Sequence, residues 1–352
     1  MSQPPVPLAE LTTLRVGGPP ARMVTAESAA EIASAVAEAD AGGEPVLLVG
    51  GGSNLVVADR GWPGLALLLR SRGVAVRRDG PTVTLTVQAG EPWDDLVARA
   101  VADGLAGVEC LAGIPGLAGA TPVQNVGAYG QEVSQTITAV QVWDRRAGAV
   151  RDLTPAECGF RYRDSVFKHS DRYVVLSVTF ALAARPPGRP LAEPIRYPEL
   201  ARALDVPLGR RAKLGEVRDA VLGLRRSKGM VLDPSDPDTA SVGSFFTNPV
   251  LSPAALAEFE ARLPPPGGYP SWPAEDGGTK LSAAWLIERT GFGKGYGHGP
   301  ARLSPKHTLA VTNRGGASTA DIVALAREIR DGVRARFGVA LRPEPLLVGV
   351  TL

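Results

Sequence analysis

Three consecutive glycines, Gly50, Gly51 and Gly52, stand between two apolar runs in the stretch VLLVGGGSNLVV. The flanking runs predict two short buried strands, 46–49 and 55–58. Without Cβ atoms at the joint, the backbone can approach another body closely and its N–H groups can converge on an anion. Ser53 and Asn54 add side-chain donors. The loop alone fits a phosphate nest and a tight turn without ligand about equally. It is not the dinucleotide fingerprint of open parallel sheets. Neither G-x-G-x-x-G nor G-x-x-x-x-G-K-[ST] occurs anywhere in the chain.

Four further segments carry candidate chemistry. Residues 111–129, LAGIPGLAGATPVQNVGAY, contain four glycines and no charge. An uncharged Gly-rich stretch of this length suits backbone wrapped around a large, mostly neutral ligand. An irregular buried loop is the plainer alternative. In residues 158–168, CGFRYRDSVFK, arginines alternate with aromatics. On an extended segment Arg161 and Arg163 would share one face. A buried arginine there needs a carboxylate or an anionic ligand. Ser244 follows Gly243 and precedes Phe245 and Phe246 in SVGSFFTNP, which also holds Asn248. The G-x-S-x-G nucleophile elbow is absent. Glu344 lies between two prolines in LRPEPLLVG, on backbone that proline stiffens.

Composition narrows the classes. Glycine and proline number 41 and 31 of 352 residues, too many for a helical bundle and too irregularly spaced for collagen. Hydrophobics at 44% and charges at 21% give a globular chain of two or three domains. A net charge of +2 lowers the prior for nucleic-acid binding. Two cysteines and three scattered histidines supply neither a disulfide framework nor a metal site. The start, MSQPPVPLAE, lacks the marks of a signal peptide, and no apolar run approaches the ~18 residues of a membrane span. The expected location is the cytoplasm.

Periodicity and stop signals predict helices at 27–41, 91–103, 216–226, 281–289 and 319–337, and a short one from Pro253. Strands are expected at 65–69, 82–88, 137–143, 173–182 and 346–351. The first helix with strands 46–49, 55–58 and 65–69 reads as one αββ-type unit. Residues 185–198 are Pro-rich and break the pattern.

Together the motifs GGGSN, GIPG…QNVGAYG, YRDSVFK, GSFFTNP and LRPE resemble the UDP-N-acetylenolpyruvoylglucosamine reductase (MurB) family, type I, from about Leu14 onward. The resemblance implies an α+β chain: a two-lobed FAD-binding domain of the vanillyl-alcohol-oxidase (PCMH) type plus a smaller α+β substrate-binding domain. It places the FAD lobes at 14–72 and 73–228, the latter with a tyrosine-loop region at 185–200. The substrate domain is 229–338, and the strand 339–352 carries Glu344. Non-covalent FAD would lie on Gly50, Gly51, Gly52, Ser53 and Asn54. It would lie also on Gly113, Ile114, Pro115, Gly116, Thr121, Gln124, Asn125, Gly127, Ala128 and Tyr129. NADPH would be co-substrate, and the enolpyruvyl ether of a UDP-sugar the small-molecule substrate. The implied catalytic residues are Arg163, Ser244 and Glu344. Tyr197, Arg225, Lys228 and Asn248 would bind substrate, with Pro198 where relatives often have glycine. Arg289 stands where a substrate-binding glutamine is expected. The resemblance implies no metal, nucleic acid or membrane partner, and a monomer is the default. A flavin oxidase on the same fold, or a non-catalytic nucleotide-sugar binder, are the alternatives.

Overall fold

Alternation builds the main sheet. In Thr82–Gln88, Val83, Leu85 and Val87 are buried and the threonines between them are not. This strand pairs antiparallel with Tyr173–Ala184 on one side and Val74–Asp79 on the other. The computed structural model, which describes residues 5–186, 188, 190–263, 268–274 and 277–352, orders the sheet Ala149–Leu153, Ile137–Asp144, Tyr173–Ala184, Thr82–Gln88, Val74–Asp79. The N-terminal stretch and the 185–198 excursion fall partly on residues 1–4, 187 and 189, outside the described residues. The hairpin connection that the sequence suggests at 145–148 leads into Ala149–Leu153, whereas Val74–Asp79 leaves no signal because nearly all its side chains are exposed and no apolar face repeats.

Two helices cover one face of this sheet. Trp93–Ala102 buries Trp93, Leu96, Val97 and Ala100. The Trp93 and Phe180 rings lie 5.6 Å apart. Pro92 takes the N-cap, one residue before the N1 position expected for it. Leu214–Arg226 adds Leu214, Val217, Val221 and Leu222.

The smaller lobe orders Pro20–Ala26, Trp62–Leu69 and Val46–Val49, with the last two parallel. Helix Ala29–Ala41, capped by Ser28, packs Ile32, Val36 and Ala39 onto it. Val174 and Leu176 join this lobe's core, while Val175 and Val178 join the large one. A strand buried on both faces reads as a continuous apolar run, as Tyr173–Ala184 does.

Leu55–Val57 does not complete the αββ unit read from the sequence. It pairs parallel with Leu346–Val348 instead. Asp59 explains where the segment goes. Its carboxylate accepts the N–H groups of Thr319 at 2.7 Å and Ala320 at 3.2 Å, and so caps helix Thr319–Phe337 alongside Ser318. The chain accordingly divides into two compact units. One holds Pro20–Gly52 and Pro63–Val231; the other holds Val6–Pro19, Ser53–Trp62 and Leu232–Leu352. Nothing local in the sequence marks a segment whose partner lies near residue 347.

The second unit is built on Ser241–Ser244, Ala310–Asn313 and Ala301–Leu303, in that order. Helices Ala283–Arg289 and Thr319–Phe337 share its core with Leu14, Val16 and Val56. Asn313 donates to the carbonyls of Leu14 at 3.1 Å and Arg15 at 3.2 Å, which fastens the N-terminal segment.

Asp144, fully buried at the end of Ile137–Asp144, organises the hairpin to Ala149–Leu153. It accepts from Arg172 at 2.7 Å, Arg151 at 3.2 Å and the N–H of Arg146 at 3.1 Å. Arg172 chiefly, then the turn N–H groups and Arg151, hold its carboxyl well below the usual range. A depressed carboxyl pKa contributes stability above the unfolded value, and the contribution is lost as pH falls toward the folded one. We therefore expect Asp144→Asn to lower the melting temperature at pH 7. The gap to wild type should narrow in melts taken below about pH 4.

Candidate active site

The two glycine-rich loops meet backbone to backbone. A Cβ on Gly51 would lie 2.9 Å from the Cα of Gly116, and one on Gly50 would lie 3.3 Å from Leu117. Gly52 has φ +64°. Among the described residues no protein acceptor takes the N–H of Gly51 or of the buried Gly52. Unpaired N–H groups at a Gly turn fit a phosphate, and a dinucleotide diphosphate suits the long uncharged loop beside them.

That second loop is held from below by the helix Trp93–Ala102. Trp93 donates its indole N–H to Leu111 O at 3.1 Å and its backbone N–H to Gly116 O at 3.1 Å. Asp94 accepts the N–H of Gly113 at 2.6 Å. Thr121 is buried and donates its hydroxyl to Ala118 O at 2.7 Å. Asn125 is buried at φ +43°. Its amide donates to Glu132 at 2.9 Å and Arg161 O at 3.1 Å, and accepts from Ser134 N at 3.1 Å. The side chains of both residues thus shape the loop.

Residues 160–163 are not extended, and Arg161 and Arg163 do not share a face. Arg161 N donates to Asp164 O at 3.0 Å and Asp164 N to Arg161 O at 3.2 Å, which closes a tight turn. Arg163 occupies it at φ +54°, a position that favours glycine. Arg161 is left exposed and Arg163 half-buried. The Arg163 guanidinium donates to Gly127 O and, at 3.4 Å, to Asn125 O, with Glu132 at 3.9 Å. Lys168 donates to the Arg163 carbonyl at 2.9 Å. YRDSVFK is therefore a device that aims one arginine at the edge of the glycine-rich loop.

Tyr197, 40% exposed, meets Tyr129 edge-on with centroids 5.4 Å apart. Burial pushes the Tyr129 hydroxyl up to about 12. Lys228 donates to Glu199 at 2.7 Å and lies 5.6 Å over the Tyr129 ring. Arg225 is 9% exposed. Its guanidinium donates to Met230 O at 2.7 Å, and its buried Nε has no partner among the described residues. Burial holds its pKa down to about 10. A Cβ on Gly113 would lie 3.5 Å from that Nε, so Arg225 abuts the glycine-rich loop.

The second unit brings together Ser53, Asn54, Ser244, Asn248 and Glu344. Gly243 at φ +72° and buried Phe245 and Phe246 set Ser244 at the end of its strand. Glu344 N donates to Phe245 O at 2.9 Å and Thr247 N to Arg342 O at 3.1 Å, so the serine and glutamate segments run side by side. Asn54 Nδ2 reaches Glu344 O at 3.5 Å. Asn248 accepts the N–H of Ala283 at 2.9 Å and so helps cap the helix Ala283–Arg289. Arg289 ends that helix with its guanidinium 5.6 Å over Trp285. Among the described residues no cluster of three His, Cys, Asp or Glu could hold a metal.

The family profile described as "FAD binding domain" matches residues 20–154, and "UDP-N-acetylenolpyruvoylglucosamine reductase, C-terminal domain" matches 234–348. The protein of that name from Salinispora arenicola is 57% identical over 350 residues, 98% of this chain and 95% of that one. Its namesake from Thermobifida fusca is 55% identical over 352 residues, 99% of this chain and 98% of that one. The chain belongs to the UDP-N-acetylenolpyruvoylglucosamine reductase family. The crystal structure of the enzyme from Thermus caldophilus aligns at a TM-score of 0.67 and 25% identity, covering 99% of this chain and 100% of that one. The α+β flavoprotein fold expected from the motifs is thereby the fold of this chain, an FAD-dependent oxidoreductase of the reductase family.

Glu132, Lys168 and Glu199 support this site and were not singled out in the sequence. Glu132 lies just past a segment notable for lacking charge, and Glu199 follows Pro198 without a periodic signal. The strained turn gives a direct check. Arg163→Ala and Arg163→Gly both remove the guanidinium, and only glycine relieves the backbone. Chemical denaturation should find the glycine variant the more stable of the two by about 1 kcal/mol.

Proposed function

We propose that this chain reduces the enolpyruvyl ether of UDP-N-acetylglucosamine enolpyruvate to the lactyl ether of UDP-N-acetylmuramate, a step of peptidoglycan precursor synthesis. The observation that carries the reading is the pairing of the Ser244 and Glu344 segments in one unit, in a chain related over its whole length to reductases of that name. Bound FAD supplies the hydride, taken from NADPH and delivered to the vinyl carbon. Gly50, Gly51 and Gly52 with Ser53 and Asn54 hold the diphosphate, and residues 113–129 line the rest. The free N–H groups of Gly51 and Gly52 support that placement.

Hydride addition at the terminal carbon builds enolate character next to the substrate carboxylate. Arg163 and Glu344 polarise that carboxylate and stabilise the enol; donors fixed in advance act best where charge develops. The carbonyls of Asn125 and Gly127 orient the Arg163 guanidinium at the edge of the glycine-rich loop, which supports this placement. Ser244 holds a proton at Oγ and delivers it to the carbon beside the carboxylate. As in type I members, Tyr197 closes over the substrate. Lys228, with Arg225 behind it, faces the sugar nucleotide's diphosphate, and Asn248 contacts the substrate. The reading includes a cytoplasmic monomer. No helix among the described residues is long and apolar enough to cross a membrane.

The test separates the two halves of the reaction. In anaerobic stopped flow, Ser244→Ala should still be bleached by NADPH. Addition of the enolpyruvyl sugar nucleotide should then fail to restore the flavin's visible absorbance. Reoxidation at the wild-type rate would remove Ser244 from the mechanism.

A further inference from the structure

Behind the glycine nest stands an arginine that none of the motifs contains. Arg70 follows the strand Trp62–Leu69, and its backbone is fixed on both sides. Its N–H donates to Ala26 O at 2.8 Å. The next residue, Ser71, is fully buried, and its hydroxyl accepts the N–H of Gly90 at 3.1 Å. From this platform the Arg70 side chain turns toward the nest. One nitrogen, Nη1, donates to Gly50 O at 3.1 Å and Leu69 O at 2.8 Å. Nε and Nη2 have no acceptor among the described residues, and no carboxylate there pairs with the guanidinium.

We propose that Arg70 is an anchoring residue for the flavin dinucleotide: it presets the Gly50–Gly51 peptide and supplies positive charge to the nest. A trans peptide is planar, so its C=O and N–H point in opposite directions. With Gly50 O tied to Arg70, the N–H of Gly51 must face away from it, to the side on which no protein group accepts it. The hydrogen bond from a cation also polarises the peptide, which makes the N–H beyond it a better donor. A half-buried arginine without a carboxylate is matched elsewhere by an anion. Burial and neighbouring Arg72 both lower the Arg70 pKa, so its charge lacks compensation from protein carboxylates. The diphosphate of FAD supplies that compensation. The inference rests on the family's FAD and adds a residue to its site.

The test uses purified holoprotein freed of flavin and titrated by fluorescence with FAD and with riboflavin, which has no diphosphate. Arg70→Ala should bind FAD about ten- to a hundred-fold more weakly than wild type, the scale of one hydrogen-bonded charge. Riboflavin should bind both equally. Arg70→Lys, with the charge but without the planar fork, should fall between them. Wild-type affinity should also weaken more steeply with added salt than that of Arg70→Ala. Unchanged FAD affinity overturns the proposal, and so does an equal loss for FAD and riboflavin, which marks a merely structural role. If the alanine variant does not fold, the lysine variant carries the same comparison. Wild-type protein that retains no FAD would instead strike at the cofactor itself.

Discussion

One hydrogen bond ties the end of the glycine nest to the last strand: Leu346 donates its N–H to Asn54 O at 2.9 Å. Leu346–Val348 then runs parallel to Leu55–Val57, and Ala58 N closes the ladder on Val348 O at 2.9 Å. Asn54 and Glu344, 290 positions apart, are thereby neighbours. The same segment sends Asp59 to the helix Thr319–Phe337 and Thr319 to Val57 O at 2.5 Å. Phe245 O takes the N–H of Glu344, which brings in Ser244. Remove the parallel pairing and the second unit loses the registration of Asn54, Glu344 and the Ser244 segment together.

Three arginines of the first unit are oriented by carbonyl oxygens. Arg163 rests on Asn125 and Gly127, Arg225 on Met230, and Arg70 on Gly50 and Leu69. A carbonyl orients a guanidinium without neutralising it, whereas a close carboxylate would do both. Asp144 shows the contrast. It is surrounded by arginine and turn N–H groups, and it serves the hairpin rather than a ligand.

What was legible in the sequence was whatever repeats. Helix 319–337 carries Ile322, Leu325, Ile329 and Val333 on one face and was read to the residue. Strand 82–88 alternates and was read equally well. Edge strands such as Val74–Asp79 bury almost nothing and leave no pattern. The pairing of Leu55–Val57 leaves none either, because a local apolar run does not name its partner. The site was legible as motifs and illegible as geometry. Arginines alternating with aromatics suggested an extended face at 160–163, but the Arg161–Asp164 bonds and the αL conformation of Arg163 override side-chain alternation. Arg70 lies outside every motif, since only the folded chain brings it to Gly50.

The parallel ladder also sets an order of assembly. During synthesis, Leu55–Val57 emerges early and waits for residues 346–348, so the second unit cannot close until those residues leave the ribosome. Folding through such distant contacts is slow, and a chain stopped short of them has no route around the delay. That same shortened chain lacks Glu344 or the strand that steadies it. Topology thus couples chemical competence to the whole span from Leu55 to Val348: a chain cut short of residue 346 cannot dock its own Asn54 against that strand.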